Sequence, residues 1–94
     1  MQVKLSKPIT FDGKTIEEIN LDLDSLTGAD IELCVREAVA AKGESIIAYE
    51  IDIDFHVQVA VKLTGIGRDT LRLLPARDYR RVMSSIRNFL LDSE

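Results

Sequence analysis

Ninety-four residues, 46% of them hydrophobic and with no low-complexity tract, suit one compact domain over residues 1–94 and exclude a disordered chain. One cysteine and one histidine exclude an internal disulfide, a multi-thiolate zinc site and most histidine-based triads, so no cofactor or metal is expected. A net charge of -4, no Trp and no apolar run of membrane-spanning length argue against nucleic acid and membrane as partners, and the opening MQVKLSKPIT lacks a signal-peptide core.

The elements then follow in chain order. Val3, Leu5, Ile9 and Phe11 alternate with polar residues, Asp12-Gly13 marks a turn, and Ile19, Leu21 and Leu23 repeat the same period, which predicts a β-hairpin over about 2–23. A two-residue loop would set Leu5 opposite Asn20 and mix the two faces. A three-residue loop of Phe11, Asp12 and Gly13 instead sets Leu5 opposite Ile19, Val3 opposite Leu21 and Lys7 opposite Glu17, and this register is expected. Pro8 has no N–H for a ladder and belongs at a sheet edge.

Thr27 to Asp30 has the form of a capping box, and Ile31, Cys34, Val35, Ala38 and Val39 behind it fall on one helical face, so a helix is predicted over 28–42 with Gly43 as its stop. In the middle two rules disagree. Ile51, Ile53, Phe55, Val57, Val59, Val61 and Leu63 alternate strictly, which periodicity reads as a strand, yet the run is long for a strand. The same residues can form a helix capped near Asp52 or Asp54, but on the residues alone the strand is the favoured reading. Gly65 and Gly67 break the pattern, a short helical turn fits Asp69 to Leu73, and Pro75 is suited to the first turn of a last helix over 75–91. Tyr79, Val82, Met83, Ile86, Phe89 and Leu90 make its apolar stripe.

Charge is uneven along the chain. Residues 1–67 carry six Lys or Arg against twelve Asp or Glu, a net of -6, whereas residues 68–94 carry six arginines against four acids, a net of +2. Arg77, Arg80, Arg81 and Arg87 lie off the apolar stripe of the last helix and are the candidate partner-binding residues, since guanidinium groups make forked bonds to carboxylates. A solvated helix face with local ion pairs is the plainer reading of the same four. No other constellation points to chemistry. His56 has no second histidine near it, Cys34 falls on an apolar helix face, and the Asp22/Asp24 and Asp52/Asp54 pairs do not continue as calcium loops. Gly65 and Gly67 lack the third glycine of a dinucleotide loop. No catalytic residue is expected.

Three stretches taken together carry a resemblance: LSKPITFDGKTIEEINLDLDSLTGADI, then VAVKLTGIGRDTLRLLPARDY, then SIRNFLL. Lys7-Pro8-Ile9, the Asp12-Gly13 turn, Lys14-Thr15, the run from Leu21 through Asp24 and Thr27-Gly28 to Asp30, and Leu74-Pro75-Ala76 with Asp78-Tyr79 ahead of Phe89-Leu90 are similar to the small tail assembly chaperones of long-tailed bacteriophages. They cover about three fifths of the chain. The resemblance implies a non-enzymatic protein of the bacterial host cytoplasm that binds the tape measure protein, assists tail tube assembly and is absent from the mature virion. It also implies contact with the tail tube protein through a longer frameshifted form, and it leaves a homo-oligomer open. Residues 44–58 depart from the family's pattern by alternating more regularly. On the resemblance the middle element is taken as a helix over about 54–64, which gives an α+β fold: an N-terminal hairpin packed on about three helices. Ile31, Val35, Val39, Val59, Leu63, Val82, Ile86 and Leu90 are its expected core. Two alternatives stand beside the chaperone: a structural head or tail completion protein retained in the virion, and a small DNA-binding regulator using the arginine-rich helix.

Overall fold

The computed structural model describes residues 1–92 and has an α+β fold, with an N-terminal two-stranded antiparallel sheet followed by three main helices. Strand β1 (Gln2–Phe11) turns into β2 (Lys14–Asn20) through Asp12 and Gly13, both left-handed at φ 53° and 75°. This is the two-residue loop whose twist matches that of the strands it joins. Phe11 pairs with Lys14, Thr10 with Thr15 and Ile9 with Ile16; the register then shifts, and Lys4 pairs with Glu18 and Val3 with Ile19. The expected three-residue loop and its pairing of Val3 with Leu21 are therefore wrong. A slip inside β1, not a longer loop, reconciles the tight turn with a buried face. Residues 5–8 of β1 lie against position 17 alone of β2. The slip costs little ladder energy there, because Pro8 has no N–H and the Ser6 N–H is bonded elsewhere. Beyond it, the Leu21 N–H donates to the Met1 carbonyl and the Met1 ammonium to the Leu21 carbonyl, at 2.7 and 2.9 Å. Val3, Ile19 and Leu21 are buried as a result.

Helix α1 (Gly28–Lys42) begins at a true capping box: the Asp30 N–H donates to Thr27 Oγ1 and the Thr27 N–H to Asp30 Oδ2, at 3.3 and 3.0 Å. Gly43, at φ 83°, ends it in the left-handed conformation. Helix α2 (Ile53–Thr64) starts at Asp52, whose Oδ1 accepts the N–H groups of Asp54 and Phe55 at 2.9 and 3.2 Å. Lys42 at the end of α1 pairs with Asp52 at 2.8 Å, and Lys62 near the end of α2 with Asp30 at 3.4 Å. Each end of the α1/α2 pair thus joins a cation near one helix C-terminus to a carboxylate at the other's N-terminus, where the helix dipoles favour both charges.

The alternation in the middle of the chain is a helix because α2 is surrounded. Every second residue of a helix steps about 200° around its axis, so a strict alternation covers all sides, which suits an element wrapped by neighbours. Helix α2 meets α1, the last helix, a short helix α3 (Arg68–Leu71) and the hairpin, and it buries Phe55, His56, Val57, Val59 and Ala60. Helix α1, by contrast, lies outside and packs chiefly on α2. Only Cys34 and Ala38 of its stripe are buried; Ile31, Val35 and Val39 are half-buried, as are Leu63 of α2 and Leu90 of the last helix. Of the expected core, Val59, Val82 and Ile86 are fully enclosed, while the sequence did not register Val3, Leu21, Phe55 and Leu71 as core.

The last helix, α4 (Ala76–Leu91), docks on the slip in β1. Asp78 is fully buried in its first turn, and Asp78 Oδ2 accepts both the Ser6 N–H and the Ser6 hydroxyl at 2.9 Å. One turn on, Arg81 Nη1 donates to the Lys4 carbonyl at 3.1 Å. The strand residues that lose their β2 partners thus gain α4 instead, and that junction fixes which face of α4 turns away from the hairpin.

Candidate functional site

The face of α4 turned away from the hairpin forms one wall of an open groove of about 500 Å³; Ile51, at the end of the connector between α1 and α2 (residues 43–52), and Ile53 and His56 in the first turn of α2 form the other. Two contacts hold the connector in place. The buried His56 donates its Nε2–H to the Glu50 carbonyl at 2.8 Å, a carbonyl being able only to accept, and Tyr49 meets the Phe55 ring edge-on at 5.2 Å between centroids. Held this way, the segment presents Ile47, Ile51 and, at the first residue of α2, Ile53 to solvent. Ile51 and Ile53 are 59% and 54% exposed, far more than two neighbouring β-branched apolar residues would be if packing were their use.

From α4, Tyr79, Arg80, Met83, Ser84 and Arg87 face the same groove. Arg80, Ser84, Arg87 and Leu91 follow one another at spacings of three to four and so form one stripe along the helix. Arg80 and Arg87 are exposed and have no ion-pair partner among the described residues, whereas Arg68 is held by Asp54 at 2.7 Å. Burial pushes the Tyr79 hydroxyl above its ordinary range, with Arg68 and Arg72 opposing the shift, so Tyr79 remains a neutral phenol in the groove wall.

Of the four arginines singled out from sequence, the structure therefore brings Arg80 and Arg87 together on the groove and separates the other two. Arg81 faces β1 through its bond to the Lys4 carbonyl, and Arg77, exposed in the first turn of α4, does not line the groove. The residues that sequence reasoning missed are Ile51 and Ile53. Their signal was present at the start of the alternating run, where Ile51 lies ahead of the capping Asp52 and Ile53 directly after it, before the helix is wrapped by its neighbours.

The remaining candidates are absorbed by structure. Asp52 caps α2 and pairs with Lys42, while Asp54 pairs with Arg68, so the two carboxylates serve different partners. Among the described residues no group of three or more His, Cys, Asp or Glu converges as a metal site would. Cys34 is buried between α1 and the core, and desolvation first, then Glu37, pushes its thiol up, which disfavours the reactive thiolate. No helix among the described residues is long and apolar enough to cross a membrane.

The geometry is that of an apolar groove with two cations on its rim that have no ion-pair partner among the described residues. No curated protein and no solved structure matches the chain. Residues 2–91 do match a family described as phage tail assembly chaperone proteins, E, or 41 or 14. With nearly its whole length inside that match, the chain belongs to the phage tail assembly chaperone family.

Proposed function

We propose that this chaperone binds the tape measure protein during tail morphogenesis and holds it soluble until the tail tube assembles around it. The observation that carries the reading is the groove: Ile51, Ile53, Tyr79 and Met83 give it an apolar centre, and Arg80 and Arg87 give it a cationic rim. A helical, partly apolar rod needs such a cover before its permanent partners arrive, and amphipathic helices bind proteins by laying an apolar face into a groove of this kind. A non-enzymatic role accords with the family. In the same reading the protein acts in the cytoplasm of the bacterial host, contacts the tail tube protein through a longer frameshifted form, and is left out of the mature virion.

Co-expression with the tape measure protein encoded in the same genome tests this. The expected result is a tape measure that stays in the soluble fraction and co-purifies with the chain, against an insoluble tape measure expressed alone. Failure of the chain to retain or solubilise it would overturn the proposal. Mass spectrometry of purified particles makes the separate check, and finding this chain there at tail stoichiometry would favour the completion-protein alternative.

A further inference from the structure

We infer that the groove between the start of α2 and α4 takes an acidic amphipathic helix that lies along α4 and offers it carboxylates seven residues apart; this rests on the tape measure reading and specifies which part of the tape measure the chaperone holds. Arg80 and Arg87 stand on one face of α4, two turns apart. At 1.5 Å per residue their backbone positions are separated by roughly 10.5 Å along the helix axis.

A second helix packed at a shallow angle against α4 repeats at the same distance, so side chains at its positions i and i+7 meet both guanidinium groups at once. An extended segment covers the same span in about three residues, and its alternation turns the third of these to the opposite face, away from α4. The repeat therefore selects a helix over a strand.

Charge selects the sign. Arg80 and Arg87 have no carboxylate partner among the described residues, and Ser84 between them adds no opposing charge. The apolar part follows from the other wall: Ile51 and Ile53 are more than half exposed, while Met83 on the floor is buried. An occupant that covers them presents apolar residues at i+3 or i+4 between its two carboxylates, the spacing that places them on the same face. The segments to look for in a tape measure are those with Asp or Glu at i and i+7 flanking such an apolar pair.

The test uses the full chain and overlapping synthetic peptides that tile the tape measure encoded in the same genome, with binding read by fluorescence anisotropy at fixed salt. Peptides carrying the i, i+7 acidic repeat are expected to bind and to gain helical circular dichroism as they do. Reversing both cations, Arg80→Glu with Arg87→Glu, is expected to weaken that binding roughly tenfold or more, and peptides with the two carboxylates changed to Lys are expected to recover it on the reversed chain. Arg36→Glu with Lys14→Glu, both exposed and away from the groove, makes the same change in net charge and is the control for it.

Binding that ignores the acidic repeat, or a double reversal without effect on peptide binding, would overturn the inference. So would a chain whose own second copy fills the groove, seen as a dimer by light scattering that Arg80→Glu dissolves. If the doubly reversed chain still retains the full-length tape measure as well as the unaltered chain does, the groove is wrong and the tape measure reading stands. If the unaltered chain retains none, that reading falls and the inference with it.

Discussion

One alternating run, Ile51 to Leu63, meets two different surroundings. Its first two members, Ile51 and Ile53, are more than half exposed beside α4, while Phe55, Val57 and Val59, spaced the same way, are at most 2% exposed inside the core. The division falls inside the first turn of α2, between Ile53 and Phe55, just past Asp52, whose carboxylate starts the helix and is held by Lys42. Apolar character says only that a residue gains by being covered; the neighbours decide whether this chain or another molecule does the covering. The buried half should therefore govern stability and the exposed half should govern binding, and mutations can pull the two apart.

The largest effect is expected at Phe55. Truncation to Ala removes a fully buried ring that also meets Tyr49, and should cost about 3–5 kcal/mol in urea unfolding. A chain of this length has only about 5–14 kcal/mol in all. A loss below about 1 kcal/mol would mean that α2 is not the centre of the fold. Phe55→Leu keeps most of the volume and should fold well enough for the comparison.

The junction between hairpin and α4 comes next. Asp78→Ala leaves the Ser6 N–H and hydroxyl without their acceptor and should cost about 1–3 kcal/mol, whereas Ser6→Ala loses only the hydroxyl's bond to the Asp78 carboxyl group, keeps that of the N–H, and should cost less. Equal losses for the two variants would show that the Ser6 N–H does not depend on Asp78. This junction also marks the limit of what the sequence disclosed. The capping box at Thr27 and Asp30 and the glycine stop at Gly43 were legible because each is a local pattern with one geometric meaning. The Asp12-Gly13 turn was legible as a turn, but its register was not, because the slip that corrects it depends on Asp78, more than seventy positions away.

The same limit applied to α2 and the groove. Alternation describes a half-buried strand or a fully wrapped helix equally well, and the choice lies in the neighbours, which no window of sequence contains. The arginine stripe could be seen from charge alone. Which of its members share a surface could not, because Arg81 is drawn off by the Lys4 carbonyl, a backbone group with no sequence signature.

At the exposed end, Ile51→Ser with Ile53→Ser should change stability by no more than about 0.5 kcal/mol per residue, as expected for surface positions. Retention of the tape measure in co-purification should fall sharply all the same. The pair of readings sharpens the contrast with Phe55, where stability and retention should fall together. A double serine variant that unfolds as readily as Phe55→Ala would mean that the two halves of the run form one core.

The smallest expected effect sits at Asp52, the cap of α2 that stands between Ile51 and Ile53. The Lys42 ammonium, and then the N–H groups of Phe55 and Asp54, hold the Asp52 carboxyl below its ordinary range despite some desolvation. A carboxyl with a lowered pKa in the folded state contributes stability above its unfolded pKa, about 3.9, and loses that contribution as pH falls through the folded value. Asn caps a helix about as well as Asp but cannot ionise, so Asp52→Asn removes the charge while keeping α2 started. The urea midpoint of the unaltered chain should therefore exceed that of Asp52→Asn near neutral pH, by the modest amount of a largely solvated pair, and the two should converge below about pH 4. Asp30, lowered chiefly by its bond from the Thr27 N–H, remains in both proteins and sets the shared acid slope. Added salt should narrow the gap at neutral pH. A gap that persists at low pH would assign the role of Asp52 to geometry alone, and the start of α2 would then rest on the cap without the Lys42 pair.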